Sequence, residues 1–473
     1  MPVKAFPTAY GFGENTTGGR GGSTVFITNT NDSGAGSARA AFTASGARHV
    51  VPKVGGLVTL ETDLEVTNAN FTYHGHLAPG GGLMFKKRNV EIGADNVICR
   101  HLKTFPGHED LGQTNGLWVK GVNGCVMDHC TSGWSDDQCM DAYGSYQNVT
   151  FQWNLIAEPS DRLNLGFGSL IGRPTSYAFP QTISLHHNIW VLCKNRMPEC
   201  LHYIGGGYTY TPQVRIDFRN NLSYRWNGNN RAFFGRIFYT QAAYNAFIAA
   251  AGLTAAAIEI NVVGNHFIKG PTSTAENDAF TMSKNCRAYA RNNIGPESAS
   301  PLDGFNVKVT RHNANWAGDG ANISLHGTYD PSELIQATEY VFPTIPTHDA
   351  TEVFDLLTAN AGATLPVKDS LWTRLMGHVI NGDGTFGAKL DYPTLATGSY
   401  PSHSQPDGIP DAWKTLNGLS TGVDYTGVQA PSGYDWLEVY SHEVAGDGLV
   451  EQSSFRGSKR RSRIFVPSRG FSI

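Results

Sequence analysis

The stretch 148-NVTFQWNLI, followed by 182-TISLHHNIW and 213-QVRIDFRNNLSYRW, carries one pattern three times. Apolar and polar residues alternate through a short run, which is the period of a strand with one face buried. Each run then meets an asparagine. Outward from these, the pattern repeats in 96-NVICRHLK, 115-NGLWVKG and 123-NGCVMDHC on one side. On the other side it repeats in 259-EINVVGNHFIKG and 285-NCRAYARNNIG. The runs recur about every 25–35 residues, the repeat scale of solenoids and arrays. A propeller blade needs four strands in about 40 residues, and these runs are too sparse for that. A β-helix with turns of variable length fits, because each coil touches only its neighbours. Asparagine suits the corners of such a coil. It tolerates the left-handed conformation and bonds to the residues stacked above and below it. That gives 220-NN and 292-NN a structural role.

Composition supports the same class. A hydrophobic content of 40% with only 16% charged residues is globular and poor in charge for a helical protein. The 54 glycines, among many Asn and Thr, make a chain that turns often. A net charge of -4 lacks the basic face that a nucleic-acid partner requires. No stretch reaches the roughly 18 apolar residues of a membrane span. The opening MPVKAFPTAYGFG has no apolar run of the secretory kind. Either a leader has been removed or the protein leaves its cell another way. The seven cysteines show no CxxC or Cys/His metal spacing. Buried free thiols are the expectation.

The repeat runs from about residue 50 to 315, within a solenoid domain of residues 1–330. Within it, 35-AGSARAAFTASG predicts a short amphipathic helix closed by Gly46, placed to cap the exposed end of the solenoid. The Ala-rich 240-TQAAYNAFIAAAGLTAAA predicts a helical insertion. From 331 to 398, PSELIQATEYVF, THDATEVFDLLTANAG and SLWTRLMGHVING predict helices packed along the outside. A small unit follows at 399–446. There 402-SHSQPDGIPD has the form of a calcium loop, D-x-D-x-D-G-x-x-D, with His403 and Gln405 in place of the first two acids. So few charges bind calcium poorly, so this is a packing unit anchored by Trp413 and Trp436. The basic segment 447–473 predicts a flexible link and a strand that pairs with another partner.

The stretch 5-AFPTAYGFGENTTGGRGGSTVFITNTNDSGAGSARAAF resembles the N-terminal signature of bacterial pectate lyases and their phage-encoded relatives. So do 71-FTYHGHLAPGGGLMF, 123-NGCVMDHCTSGW, 148-NVTFQWNLIAE, 165-LGFGSLIG and 184-SLHHNIW, in family order. A weaker likeness continues through 360-NAGATLPVKDSLWTRLMGHVINGDG and 407-DGIPDAW to 434-YDWLEVY. The resemblance implies an all-β, right-handed parallel β-helix. It also implies a lyase that cleaves a uronate chain by β-elimination, with calcium and cationic side chains offsetting the sugar carboxylate.

Carried over residue by residue, the resemblance makes Asp137 and Asp141 calcium ligands, with capping of the turn after Trp134 as the alternative. The neighbouring acid pair of the family becomes Gln113 and Asn115, neutral oxygens near the substrate. Arg196 of 196-RMP matches the arginine that the family uses as base. A free arginine is almost never deprotonated, so that role demands a special environment; the alternative is a structural salt bridge from Arg196 to an Asp or Glu on an adjacent turn. The second arginine of the motif is missing, with Glu199 and Leu201 at the candidate positions. The family's lysine has no lysine counterpart, and Arg162 lies near its offset. His187 is a candidate substrate contact, with a ladder role for His186 and His187 as the alternative.

Two readings follow. One is a lyase acting on an acidic polysaccharide. The other is an inactive β-helical virion protein that binds or decorates. The tail 457-GSKRRSRIFVPSRGFSI resembles those ending many phage proteins, which points to a virion or extracellular location. It also points to other virion proteins as partners, and to a trimer if the protein is a spike.

Overall fold

The computed structural model describes residues 3–107, 114–172, 180–204, 214–226, 233–239, 258–270, 280–282, 286–295, 300, 309–311 and 336–448. The strand runs coil as the repeat predicts. One turn shows the plan: Asn123–Asp128 lies in a first sheet (A), Thr131–Gly133 in a second (B) and Met140–Tyr143 in a third (C). The chain then re-enters sheet A at Gln147–Gln152. Among the described residues, strands inside each sheet pair in parallel with their equivalents one turn earlier and later, as in Cys125↔Val97 and Cys125↔Val149. Among the described residues the sheets hold ten, eight and nine strands. The protein is a right-handed parallel β-helix.

Register stacks the core. Cys125, Val149, Ile183, Ile216 and Ile260 form one buried column. Met127, Phe151, Leu185, Phe218 and Val262 form the next. All seven cysteines are free and buried. At the corner between sheets A and B a second stack forms, of asparagine. The Oδ1 of Asn188 accepts the backbone N–H of Asn154 at 3.0 Å and its Nδ2 at 2.8 Å. The same pattern links Asn188 to Asn221, Asn221 to Asn265 and Asn265 to Asn293. The residue before each rung is left-handed, as at Asn220 (φ 51°) and Asn292 (φ 52°).

Three features differ from expectation. Sheet A is buried on both faces, not one, because the glycine-rich N-terminal segment lies across its outer side. There Phe12 N–H donates to Ser184 Oγ at 3.0 Å, and Gly13 N–H to Thr150 Oγ1 at 2.9 Å. A Cβ on Gly13 would stand 2.7 Å from the Cys125 carbonyl oxygen, so only glycine permits this approach. The capping helix is shorter than predicted. Helix α1 spans Ala38–Phe42 and stops four residues before Gly46. Its last carbonyls are taken by the buried Arg48 side chain, through Nε to Ala41 O and Nη2 to Phe42 O. Phe42 still seals the core end against Phe71 and Phe85. The helix predicted at 331–342 is absent from its described part, 336–342, which is irregular. The predicted insertion at 240–257 and the segment after Gly448 lie outside the described residues.

Helices α2 (Ala350–Asn360) and α3 (Ser370–Asn381) cover sheet B. Val353, Leu357, Leu375 and Met376 pack on Leu155, Ile189, Val191 and Leu222. The unit around α4 (Asp411–Leu416) and α5 (Trp436–Ala445) packs on the early rungs through Phe26, Val51 and Leu77. Sheet C carries a row of side chains on the face away from the core residues Leu117, Met140, Ile171 and Cys200.

Candidate functional site on sheet C

The outward row is set by register. Glu65, Glu91, Trp118, Asp141, Leu170 and Glu199 stand side by side on successive rungs. The loops entering these strands also stack. Gln138, Phe167 and Asn195 pair as single parallel bridges. This stacking gathers three of the residues singled out from sequence.

Asp141 is buried, and its Oδ1 accepts the Leu170 N–H at 2.6 Å. Burial pushes its carboxyl well above the usual range. The nearby Asp137 charge adds to that rise, and Arg196 opposes it. Asp137, half-buried in the entering loop, is held by its own N–H on the Thr114 carbonyl at 2.9 Å. Arg196 has a left-handed backbone (φ 62°), an uncommon state for a side chain of this size and one that clusters at functional sites. Its Nε donates to Glu199 Oε2 at 2.7 Å. Its guanidinium lies 3.7 Å from the centre of the Phe167 ring. The missing second arginine of the motif is therefore replaced by a carboxylate that binds the first.

The other predicted residues are placed differently. Asn115 orients the acid loop, its Oδ1 accepting the Gln138 N–H at 3.3 Å. Arg162 grips Asp136 with two bonds, Nη2 to Oδ2 at 2.6 Å and Nε to Oδ1 at 3.2 Å. Asp136 was not singled out from sequence, although it adjoins Asp137. His187 is not brought to this cluster. It sits at the sheet A–B corner (φ 56°), stacked 4.4 Å from Trp153 and bonded to His348 at 2.9 Å. Residues preceding the asparagine rungs are bound to that corner, which is why the strand alternation misplaces it. Gln113 lies outside the described residues. Phe167, Glu199 and Trp118 were not foreseen as site residues. The spacing of Arg196 and Glu199, three apart, was the one signal for their pair.

Two other places present metal-ligand chemistry. His101, Asp128 and His129 bring ligand atoms within 4.8 Å of one another. A cation is already there: Arg100 Nε meets Asp128 Oδ2 at 2.8 Å, and Arg100 also binds Asp447. In the 402–411 loop, Lys414 Nζ lies 2.6 Å from Asp407 Oδ2, both side chains fully buried. The ammonium pairs with one of the two acids that remain in this loop, and the other, Asp411, accepts the Ser404 N–H and hydroxyl.

No family model matches the chain. Curated relatives are similar to it along nearly all of its length. A probable pectate lyase C of Emericella nidulans is 28% identical over 463 residues, covering 94% of each chain. One of Aspergillus fumigatus is 28% identical over 456 residues, covering 93% of each. Among solved structures, a Bacillus subtilis pectate lyase variant superposes with a TM-score of 0.47 and 13% identity, over 77% of this chain and 98% of its own. A pectate lyase bound to a hexasaccharide gives 0.46 and 14%, over 77% and 98%. The chain is similar to these probable pectate lyases along nearly its whole length and is built as a right-handed parallel β-helix.

Proposed function

We propose that the sheet C face binds a uronate-containing polysaccharide and cleaves it by β-elimination. The observation that carries this reading is that Asp137 and Asp141 share one rung and Arg196, two rungs on, lies within electrostatic reach of Asp141, in a chain similar to pectate lyases along nearly all of its length. In the reaction a base takes the proton beside the sugar carboxylate. The C–O bond on the next carbon breaks, and a double bond forms at the new chain end. The proton is acidic only once the carboxylate charge is offset. Arg196, kept in place by Glu199 and Phe167, supplies positive charge at the acid pair.

Asp137 and Asp141 also fit a calcium ion. Two carboxylates close enough for one to raise the other are relieved by a divalent cation between them. Calcium takes six to eight oxygens, so two carboxylates make a weak site that water and the substrate complete. When bound, the ion adds charge neutralisation at the uronate. The finer reading is a depolymerase carried on a phage virion. It is supported by the basic tail sequence 457-GSKRRSRIFVPSRGFSI and is checked by probing purified virions for the protein and its mass in solution for a trimer.

The test is incubation with polygalacturonate, alginate and capsule extract, with and without calcium, reading the ultraviolet absorbance of an unsaturated uronate. Arg196→Ala is expected to lower the rate at least a hundredfold, with an unchanged circular dichroism spectrum. Binding to these glycans without any absorbance change, under either condition, would leave an inactive adhesin instead.

A further inference from the structure

The family's lysine and second arginine are missing from the acid-pair neighbourhood, and the cations that remain there are engaged. Arg196 is paired with Glu199, Arg162 with Asp136 and Lys194 with Asp161. A polyanion would meet carboxylates Glu91, Asp137 and Asp141 along the row with little free positive charge to hold it. Lys120, also on these rungs, makes no ion pair among the described residues, though its charge reaches Glu91. Lys120 is exposed, two residues along its strand from Trp118. Its ammonium hovers 4.6 Å from the centre of the Trp118 ring.

The surroundings of Lys120 suit a sugar. Trp118 is the rung partner of Asp141, and Lys120 is the rung partner of Tyr143. The Trp118 and Tyr143 rings meet edge to face at 5.7 Å and 76°. Both are half-buried and on the outward side of the strands. An apolar corner with an ammonium at its rim matches a uronate, which has an apolar C–H face and a carboxylate at its edge. Rungs are about 4.8 Å apart, so a glycan laid along the helix axis passes from Asp141 to Trp118 in one step.

We infer that Trp118, Tyr143 and Lys120 form a uronate subsite one rung before the acid pair, in which Lys120 binds the sugar carboxylate and Trp118 receives the sugar face. This rests on the polysaccharide-lyase reading above. The subsite holds substrate and takes no part in bond breaking. It replaces, on the opposite side of the acid pair from Arg196, the charges that the motif has lost.

The test is steady-state kinetics on polygalacturonate together with calorimetric binding of galacturonate oligomers. Lys120→Gln is expected to raise KM and Kd about tenfold while kcat changes less than about threefold. Lys120→Arg should restore most of the loss. Trp118→Ala should raise KM by about tenfold or more. Added salt should weaken binding to the wild-type protein more steeply than to Lys120→Gln. Lys120 is exposed and makes no close ion pair among the described residues, so its variants leave folding intact, which a melting curve verifies. If the wild-type protein binds and cleaves polygalacturonate and both variants match it, the subsite is refuted and the lyase reading stands. If the wild-type protein neither binds nor cleaves any acidic glycan, both fall together.

Discussion

At the scale of single residues, the site is a balance of like charges on a rigid sheet. Asp141 illustrates it. Its carboxyl is raised by burial first and by Asp137 second, so at neutral pH its charge works against the fold. The folded state holds that proton more tightly than the unfolded chain, and this contribution to stability therefore falls as pH rises through the raised range. Asp141→Asn removes the penalty. The variant is expected to melt a few degrees higher at pH 7 and to lose at least tenfold in lyase rate. Calcium should raise the melting temperature of the wild-type protein and leave that of Asp141→Asn unchanged. Equal calcium responses in the two proteins would remove Asp141 from the metal site. Glu199 shows the limit of motif reading. In sequence it is only the absence of an arginine, whereas in space it is the partner that fixes Arg196.

At the scale of elements, two buried polar devices hold the coils in register. The asparagine ladder satisfies backbone groups that a corner would otherwise bury unpaired. Asn188 alone serves Asn154, Phe151 and Asn221. Asn188→Ala should cost on the order of 3 kcal/mol, one to three per orphaned group, seen as a lower denaturation midpoint. A loss below half a kcal/mol would mean that water replaces the ladder. The second device is the Lys414–Asp407 pair, where Asp407 also accepts the N–H groups of Ile409 and Tyr425. Lys414→Met leaves Asp407 buried without its cation, at a cost of about 3–5 kcal/mol. Limited proteolysis should then cut the 400–448 unit first. Chelators should leave the wild-type unit resistant, because the lysine supplies its positive charge. Cleavage induced by a chelator would show a metal in the loop.

At the scale of the molecule, histidines line the seam between the coil and the C-terminal unit. His49 bonds His74 at 3.0 Å, His74 and His76 share Ser441 Oγ, and His49 reaches Asp435. Arg100, Asp128, Arg20 and Glu438 face the same seam. Burial pushes His74, His76 and His442 well below their ordinary range. Elsewhere it lowers His186 to about 3 and His266 to about 4. The unfolded chain takes these protons near pH 6.5, and the folded one refuses them. Stability is therefore full above about pH 6.5 and falls as the solution is acidified towards pH 4. Asp141, Glu91, Asp217 and Glu438, whose carboxyls burial raises, act in the opposite direction, but they are four against seven lowered histidines, His101 and His187 included. The melting temperature should drop by roughly ten degrees or more between pH 7 and pH 5, with the seam opening first. A flat profile over that interval would show that the seam histidines are protonated in the fold.

The sequence by itself determined the coil. Strand period, corner asparagines such as Asn220 and Asn292, and buried free cysteines are local requirements, repeated at each turn, and repetition makes them readable. It also named Asp137, Asp141 and Arg196, because motif order survives where loop length does not. Only the tertiary structure decided which face those residues share and which charges are spent. Parallel stacking sets register between residues many positions apart, placing Trp118 beside Asp141 and sending His187 to the far corner. Ion pairing then turns Arg162 to Asp136 and Lys414 to Asp407. The reason is physical: a hydrophobic period is a property of neighbours in the chain, whereas neutralising a charge depends on neighbours in space.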